Sequence, residues 1–168
     1  ADSVVTVSLM TAKDATKILD IEPGRISVVP NAVESIFKPL SEEEINRFRH
    51  ESEISPATLC LLNVGSNHPR KNIDTVLKVV DILKQRGVSV NFWKAGADFN
   101  EEQKTFIRNR NLENHITYLG QPDKSSLIQI YNAADILIAP SLHEGFGITL
   151  LEAMACGTPV ITAKVSAM

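Results

Sequence analysis

The sequence has few of the features that mark membrane, disulfide-rich or nucleic-acid-binding proteins. It has only two cysteines, Cys60 and Cys156, and both stand among apolar residues, as small core residues of a reducing compartment do. No segment reaches the roughly 18 apolar residues that a membrane-spanning helix needs, and residues 1–10 lack the basic start of a signal peptide. Its 17 basic and 20 acidic residues give a formal charge of −3. Because a phosphate backbone demands a clear basic surface, no nucleic-acid partner is predicted.

Several motifs of nucleotide and metal sites are also absent. The spacing G-x-x-x-x-G-K-[ST] of a triphosphate-binding loop does not occur. Gly65 lacks the second and third glycines of a dinucleotide fingerprint, which speaks against a nicotinamide-binding unit. His68 and His115 have no second ligand at metal spacing, so no metal site is predicted. The strand ends carry no acidic cluster of the kind that a signalling receiver needs.

What the sequence does contain is an alternation of β-branched runs and helical patterns. A stripe of apolar residues over 72–86 predicts an amphipathic helix that ends at Gly87. The runs LCLLNV and ILIA are apolar at nearly every position, which predicts strands covered on both faces. The alternation predicts an α/β fold with a doubly wound parallel sheet. The predicted strands are 4–8, 26–30, 58–65, 88–96, 115–120, 135–140 and 159–163, and the predicted helices are 41–49, 72–86, 100–110, 124–133 and 147–156.

A segment rich in Pro, Ser and Glu separates two parts of the chain. We therefore predict that residues 1–30 are the tail of a preceding domain, 31–57 a linker region, and 58–168 a second domain. The chain begins at ADSVVTVS and ends at ITAKVSAM, directly after a strand. This suggests a piece of a longer protein whose second domain is truncated at its C-terminal end.

The first candidate cluster is GSNHPRKN, which begins at Gly65 directly after a strand. A strand, a glycine turn and a helix place free backbone N–H groups at the carboxyl edge of the sheet. Arg70 and Lys71 stand at the helix start, where the helix dipole disfavours cations. A bound phosphate would explain why both cations stand there. The alternative is that Arg70 and Lys71 are two solvated surface charges.

The second cluster is LHEGFGITLLE, which follows the strand DILIAPS. Gly145 and Gly147 give a tight loop whose amides can approach a ligand closely, and a helix starts near Ile148. Glu152 stands among apolar residues, where a carboxylate needs a partner such as a sugar or ribose hydroxyl. The alternative for Glu152 is an exposed helix position. His143 is predicted to pack or to contact a sugar, and Trp93 to be a core residue.

The segments VGSNHPRKN, APSLHEGFGITLLEAMACGTPVI and, more weakly, ISVVPNAVESIFKP resemble glycosyltransferase family 4 over residues 3–163. Glu144 and Glu152 match the E-x7-E arrangement of that family. The resemblance implies the C-terminal, Rossmann-like half of a two-domain GT-B enzyme. Such an enzyme is a retaining, metal-independent hexosyltransferase, for example a mannosyltransferase of polysaccharide biosynthesis, that uses a GDP- or UDP-linked sugar and no cofactor.

The resemblance also implies roles for single residues. Glu144 and Lys71 would be catalytic, with Glu144 beside the reactive carbon of the sugar and Lys71 neutralising the diphosphate. Glu152 would bind the ribose hydroxyls. The remaining donor contacts would come from Gly65, Ser66, Arg70, Gly120, Gln121, Gly145, Phe146, Gly147, Ile148 and Thr149, with Gly120 and Gln121 near the base. The sequence departs from the family at Ser66, where an Arg is frequent, and at Ala32, where Gly is usual. Ser66 leaves the role of Arg70 open.

The resemblance further implies that a preceding GT-B domain carries the site for a glycan or lipid acceptor. The present chain would then bind donor without transferring sugar. A cytoplasmic location is expected, with peripheral contact to the inner face of the membrane left open. A non-catalytic nucleotide-sugar-binding module and an unrelated doubly wound domain remain the alternative interpretations.

Overall fold

The computed structural model describes residues 2–167 and contains two parallel sheets. The strands are β1 (Val4–Thr6), β2 (Ile26–Val28), β3 (Leu59–Gly65), β4 (Val90–Gly96), β5 (Ile116–Gly120), β6 (Ile136–Ala139) and β7 (Val160–Thr162). The helices are α1 (Leu9–Leu19), α2 (Glu42–Glu51), α3 (Ile73–Gln85), α4 (Glu101–Asn109), α5 (Lys124–Ala133) and α6 (Ile148–Ala155). Across the described residues, none of the helices is both long enough and apolar enough to cross a membrane.

The larger sheet has five parallel strands in the order β5-β4-β3-β6-β7, which confirms the predicted doubly wound α/β fold. The chain runs from β3 outward to β4 and β5, then returns through α5 to β6 on the other side of β3. The strand order therefore reverses between β3 and β6. At such a switch point the loops after the two strands diverge and leave a crevice at the carboxyl edge of the sheet.

Two hydrophobic clusters cover the two faces of this sheet. Neighbouring residues of β3, Leu61 and Leu62, are both buried and belong to different clusters. Trp93 lies in the same cluster as Leu62, as predicted for a core residue. The predicted stripe of α3 packs in the other cluster, and Gly87 ends that helix with a φ of +72°. Both faces are buried because helices pack on each, so the central strands are apolar at nearly every position.

Residues 31–57 pack against the larger sheet's helices and contain α2. Phe37 is buried, and its ring meets that of Tyr131 edge to face, with the centroids 6.0 Å apart. Arg49 of α2 donates to the carbonyl oxygens of Ala133 and Thr58, at 2.8 Å each. The N-terminal residues form a separate β1-α1-β2 unit. The division into three segments stays a prediction.

The ends of β3 and β4 approach each other so closely that only glycine fits at Gly96. Its φ is +103°, and a Cβ atom there would lie 2.3 Å from the carbonyl oxygen of Gly65. The contact holds the glycine turn after β3 against the turn after β4.

We expect Gly96→Ala to lower the free energy of unfolding by about 2 kcal/mol or more, because it combines a strained φ with a backbone clash. Gly24→Ala is the matched control, since an added Cβ meets nothing within 4 Å there. Urea denaturation of both variants measures the difference. Equal stability of the two variants would contradict the close approach of β3 and β4.

Candidate functional site

The loops after β3 and β6 meet at the switch point and are joined by backbone and side-chain hydrogen bonds. The Leu142 amide donates to the Arg70 carbonyl oxygen at 2.7 Å. The Asn72 side chain donates to the carbonyl oxygen of Pro140 at 3.1 Å. Asn72 adopts a left-handed φ of 56°, which ends the short turn Pro69–Lys71 and starts α3. These contacts fix the cluster around Lys71 beside the loop that carries Glu144.

One carboxylate joins the two cations of the first cluster. Lys71 Nζ donates to Glu144 Oε1 at 2.6 Å, and Arg70 Nη1 donates to Glu144 Oε2 at 2.7 Å. The hydroxyl of Ser141 donates to Oε1 at 2.9 Å. The Glu144 side chain is only 9% exposed and that of Lys71 16%. The predicted residues Arg70, Lys71 and Glu144 therefore form one ionic cluster, in which Glu144 and Lys71 are largely buried and Arg70 is partly exposed.

The charge state of Glu144 follows from these contacts. Burial alone would raise its pKa, but the hydrogen bonds from Lys71 and Arg70, the charge of Lys71 and the Ser141 hydroxyl outweigh burial. The pKa of Glu144 is accordingly lowered from its ordinary value. The side chain is an anion at neutral pH and carries no proton that it could donate.

The loop after Glu144 presents free backbone amides. Gly147 has a φ of +85° and starts α6. Within residues 2–167, the amides of 145–149 donate no hydrogen bond to a protein acceptor. The first N–H groups of a helix carry its positive dipole end, so these amides are suited to an anionic ligand.

Glu152 lies about one turn into α6, in surroundings of its own. Tyr131 donates its hydroxyl proton to Glu152 Oε2 at 2.7 Å. Burial and the charge of Glu34 raise the pKa of Glu152, against the lowering effects of Tyr131 and Lys124. Among the described residues no hydrogen bond or ion pair joins Glu152 to the Arg70–Lys71–Glu144 cluster. The structure therefore brings Lys71 and Glu144 into contact and gives Glu152 a different partner.

A cleft of about 390 Å³ lies beyond the carboxyl ends of β3, β4 and β5. Gly65 and Ser66 line it on one side and Gln121 on the other. Gly120 ends β5 with a φ of +66°, which turns the chain toward Gln121. The predicted contact residues Gly65, Ser66 and Gln121 therefore line one cavity, and Gly120 directly precedes Gln121 in the chain. Phe146 lines a second hollow of about 470 Å³, which it shares with the start of α1 and with Ser166.

Comparison with known proteins identifies the family to which this arrangement belongs. The family model for glycosyl transferases group 1 matches residues 44–168, three quarters of the chain and both loops of the site. The chain belongs to this family.

The curated relatives of this group 1 chain are longer proteins. The D-inositol 3-phosphate glycosyltransferase of Corynebacterium glutamicum is 31% identical over 176 residues, which cover 100% of this chain and 42% of the relative. The enzyme of the same name from Mycolicibacterium gilvum is 28% identical, with 100% and 38% covered. The chain thus spans about two fifths of the length of these relatives.

Solved structures share the fold. Anabaena Alr3699/HepE in complex with UDP-glucose superposes with a TM-score of 0.87 at 21% identity, covering 99% of this chain and 46% of that one. WaaG, a glycosyltransferase involved in lipopolysaccharide biosynthesis, superposes with a TM-score of 0.86 at 22% identity, covering 97% and 44%. The group 1 chain has the Rossmann-like fold of the C-terminal domain of GT-B glycosyltransferases.

Three polar residues of the group 1 site were not found from the sequence. Ser141 binds Glu144, and Tyr131 binds Glu152, from elements whose packing only the fold reveals. Lys94 in β4 is fully buried, and its ammonium donates to the Gly65 carbonyl oxygen at 2.7 Å. The sequence offered one sign that Lys94 is unusual, which is that it interrupts the largely apolar run VNFWKAG. His143 contributes its carbonyl oxygen to Arg70 at 2.9 Å, while its ring lies 3.5 Å from Asp14.

We expect Lys71→Met to lower the free energy of unfolding by about 1–3 kcal/mol at pH 7, because Glu144 stays buried with one cation fewer. The pKa of Glu144 is lowered in the folded state. Its stabilising contribution is therefore present above the ordinary carboxyl pKa and is lost as the pH falls through the lowered value. The difference between wild type and Lys71→Met should shrink in acid.

Urea denaturation at pH 7 and at about pH 3 measures this. Lys78→Met removes an exposed lysine from α3 and serves as the control. A Lys71→Met effect that is the same at both pH values would show that the Glu144 ion pair is not its source.

Proposed function

We propose that the protein is a retaining glycosyltransferase of family 4 and that the site described above binds a nucleotide diphosphate sugar. The observation that supports this most directly is the Arg70–Lys71–Glu144 cluster beside the free amides of residues 145–149. Two cations and the start of α6 lie together there, at the switch point of a group 1 fold. The donor would be a UDP- or GDP-linked sugar such as GDP-mannose.

In this proposal the diphosphate binds beside Arg70, Lys71 and the amides of residues 145–149. Lys71 and Arg70 each offer donors beyond those that Glu144 accepts, and the amides of Gly145, Phe146, Gly147, Ile148 and Thr149 add uncharged donors. A nucleoside diphosphate carries at least two negative charges. Because Glu144 cancels one of the two cations, the backbone amides have to supply a substantial share of the binding.

In this proposal the nucleoside binds in the cleft beyond β3, β4 and β5 and close to Glu152. Base and ribose extend from the diphosphate across Gly65 and Ser66 toward Gly120 and Gln121. Glu152 accepts from the ribose hydroxyls with its oxygen Oε1, while Tyr131 holds Oε2. A carboxylate fixed at one oxygen presents the other in a defined direction, which favours recognition of a diol.

Transfer breaks the bond between the anomeric carbon and the diphosphate oxygen and forms one to the acceptor oxygen, with retained configuration. The departing diphosphate oxygen develops negative charge as its bond to the anomeric carbon breaks, and it takes the proton that the acceptor hydroxyl loses. Lys71, Arg70 and the loop amides stabilise that charge without any metal ion, since donors fixed in place need no reorganisation. Glu144, held as an anion, lies beside the sugar and stabilises positive charge at its reactive carbon.

The acceptor, a hydroxyl of a glycan or a lipid, is proposed to bind to a further domain. The chain spans about two fifths of its curated relatives, and GT-B enzymes form their site between two domains. We therefore propose that the described residues bind donor and that transfer requires an N-terminal domain before them. A cytoplasmic enzyme with peripheral membrane contact through that domain is consistent with a lipid acceptor.

We expect nucleoside diphosphates to raise the melting temperature of the protein, because a ligand that binds only the folded state stabilises that state by mass action. A thermal-shift screen with UDP, GDP, ADP and NAD measures this and selects the base. NAD is the control, since the dinucleotide fingerprint is absent. A shift with NAD alone, or with none of the four, would refute a nucleotide-sugar site.

We expect Lys71→Ala and Glu144→Ala to reduce the turnover number of the full-length enzyme by about a hundredfold or more, as the loss of one fixed charge in a transfer site does. The assay follows release of nucleoside diphosphate in the presence of acceptor. Lys78→Ala should keep wild-type turnover. Donor binding without transfer or hydrolysis in the wild type would favour the non-catalytic binding module instead.

A further inference from the structure

Lys94 is a buried cation for which the roles described so far give no reason. Its side chain is 0% exposed in the middle of the sheet, at the position of β4 that pairs with Asn63 of β3. In the described part of the chain, no carboxylate lies within 4.0 Å of its ammonium. Asp98, the acidic residue that acts on it, is exposed and pairs with Lys104 at 3.0 Å. A buried charge without a counter-ion is costly, so a compensating role for Lys94 is expected.

Two lysines flank the turn at Gly65. Lys94 Nζ donates to the Gly65 carbonyl oxygen at 2.7 Å and to that of Ala95 at 3.0 Å. On another side, Lys71 Nζ lies 3.7 Å from the point where a Cβ atom of Gly65 would stand. Two positive charges therefore border one residue, and the single carboxylate within ion-pair distance of either is Glu144 on Lys71 among residues 2–167. An anion bound at the Gly65 turn would offset the positive charges of both Lys71 and Lys94.

The bond from Lys94 also sets the direction of the next peptide group. The Gly65 carbonyl oxygen accepts from Lys94 and from the Ala97 amide at 3.0 Å, so it points toward β4. In a planar trans peptide the following N–H points the opposite way. The Ser66 N–H is thereby directed toward the β6 side, where the loop with Glu144 lies. Within the described residues this N–H donates to no protein acceptor.

We propose that Lys94 is a positioning residue of the donor site: it aims the Ser66 N–H at the diphosphate and places a second positive charge beneath the Gly65 turn. The inference rests on the proposed function. It also accounts for the charge balance of the site. Arg70 and Lys71 less Glu144 leave one net positive charge, and Lys94 raises this to two, which matches the two negative charges of the diphosphate in a nucleotide diphosphate sugar.

The titration of Lys94 provides a readout that a merely structural lysine would lack. Burial and the charge of Lys71 lower the pKa of Lys94 to about 8, against an opposite effect of Asp98. The next charged groups near the Gly65 turn are Glu144, which pairs with Lys71, and Arg70, which pairs with Glu144. A bound anion favours the charged amine, so affinity is highest below this pKa and falls as the pH rises through it. Above the pKa the fall approaches about tenfold per pH unit.

The experiment measures dissociation constants of UDP and GDP by calorimetry between pH 6.5 and pH 9. It uses the full-length protein and its Lys94→Met and Lys78→Met variants. We expect wild type and Lys78→Met to bind the better nucleotide up to roughly tenfold more weakly at pH 9 than at pH 7. We expect Lys94→Met to bind roughly tenfold more weakly than wild type at pH 7 and to lose most of the pH dependence.

Three results would overturn the inference about Lys94 while leaving the proposed nucleotide-sugar site intact. The first is wild-type affinity in Lys94→Met, and the second is a Lys94→Met profile parallel to that of wild type. The third is a flat wild-type profile, which decides the matter even where Lys94→Met does not fold. No binding of either nucleotide by wild type would instead overturn the proposed function, and the inference with it.

Discussion

The carboxylate of Glu144 is the contact that organises the site. Its two oxygens are taken by three side chains from two loops, which come from either side of the switch point. This sharing offsets the repulsion between Arg70 and Lys71 beside the buried carboxylate. It also joins the end of β3 to the end of β6, so the crevice between them has a defined width before any ligand arrives.

Topology explains why these residues meet although more than 70 positions separate Lys71 from Glu144. Parallel strands place all their carboxyl ends at one edge, and the reversal of strand order puts the loops after β3 and β6 side by side. The close contact of Gly65 with Gly96 adds the end of β4 to the same edge. The charged cluster, the free amides and the cleft are therefore consequences of one sheet arrangement.

Local pattern predicted the larger sheet and the loops of the site, but it missed helix α1, which spans Leu9–Leu19. The apolar runs of β3 and β6 predicted strands covered on both faces, and glycine turns after strands predicted where Lys71 and Glu144 would lie. Arg70 pairs with Glu144, and its role as a second phosphate cation in place of an Arg at position 66 stays a prediction. The partners of Glu152 and of Gly65 could not be predicted in this way. Tyr131 reaches Glu152 through the packing of α5 on α6, and Lys94 reaches Gly65 through the register of β4 with β3.

The contact of α1 with the glycine loop links two parts of the chain that form separate sheets. A side chain at Gly145 would begin 3.5 Å from the methyl group of Thr11, and His143 approaches Asp14 of the same helix. The glycine loop is thus bounded on one side by α1, which belongs to the small unit formed with β1 and β2. The space beside the loop amides therefore depends on the packing of an element outside the five-stranded sheet.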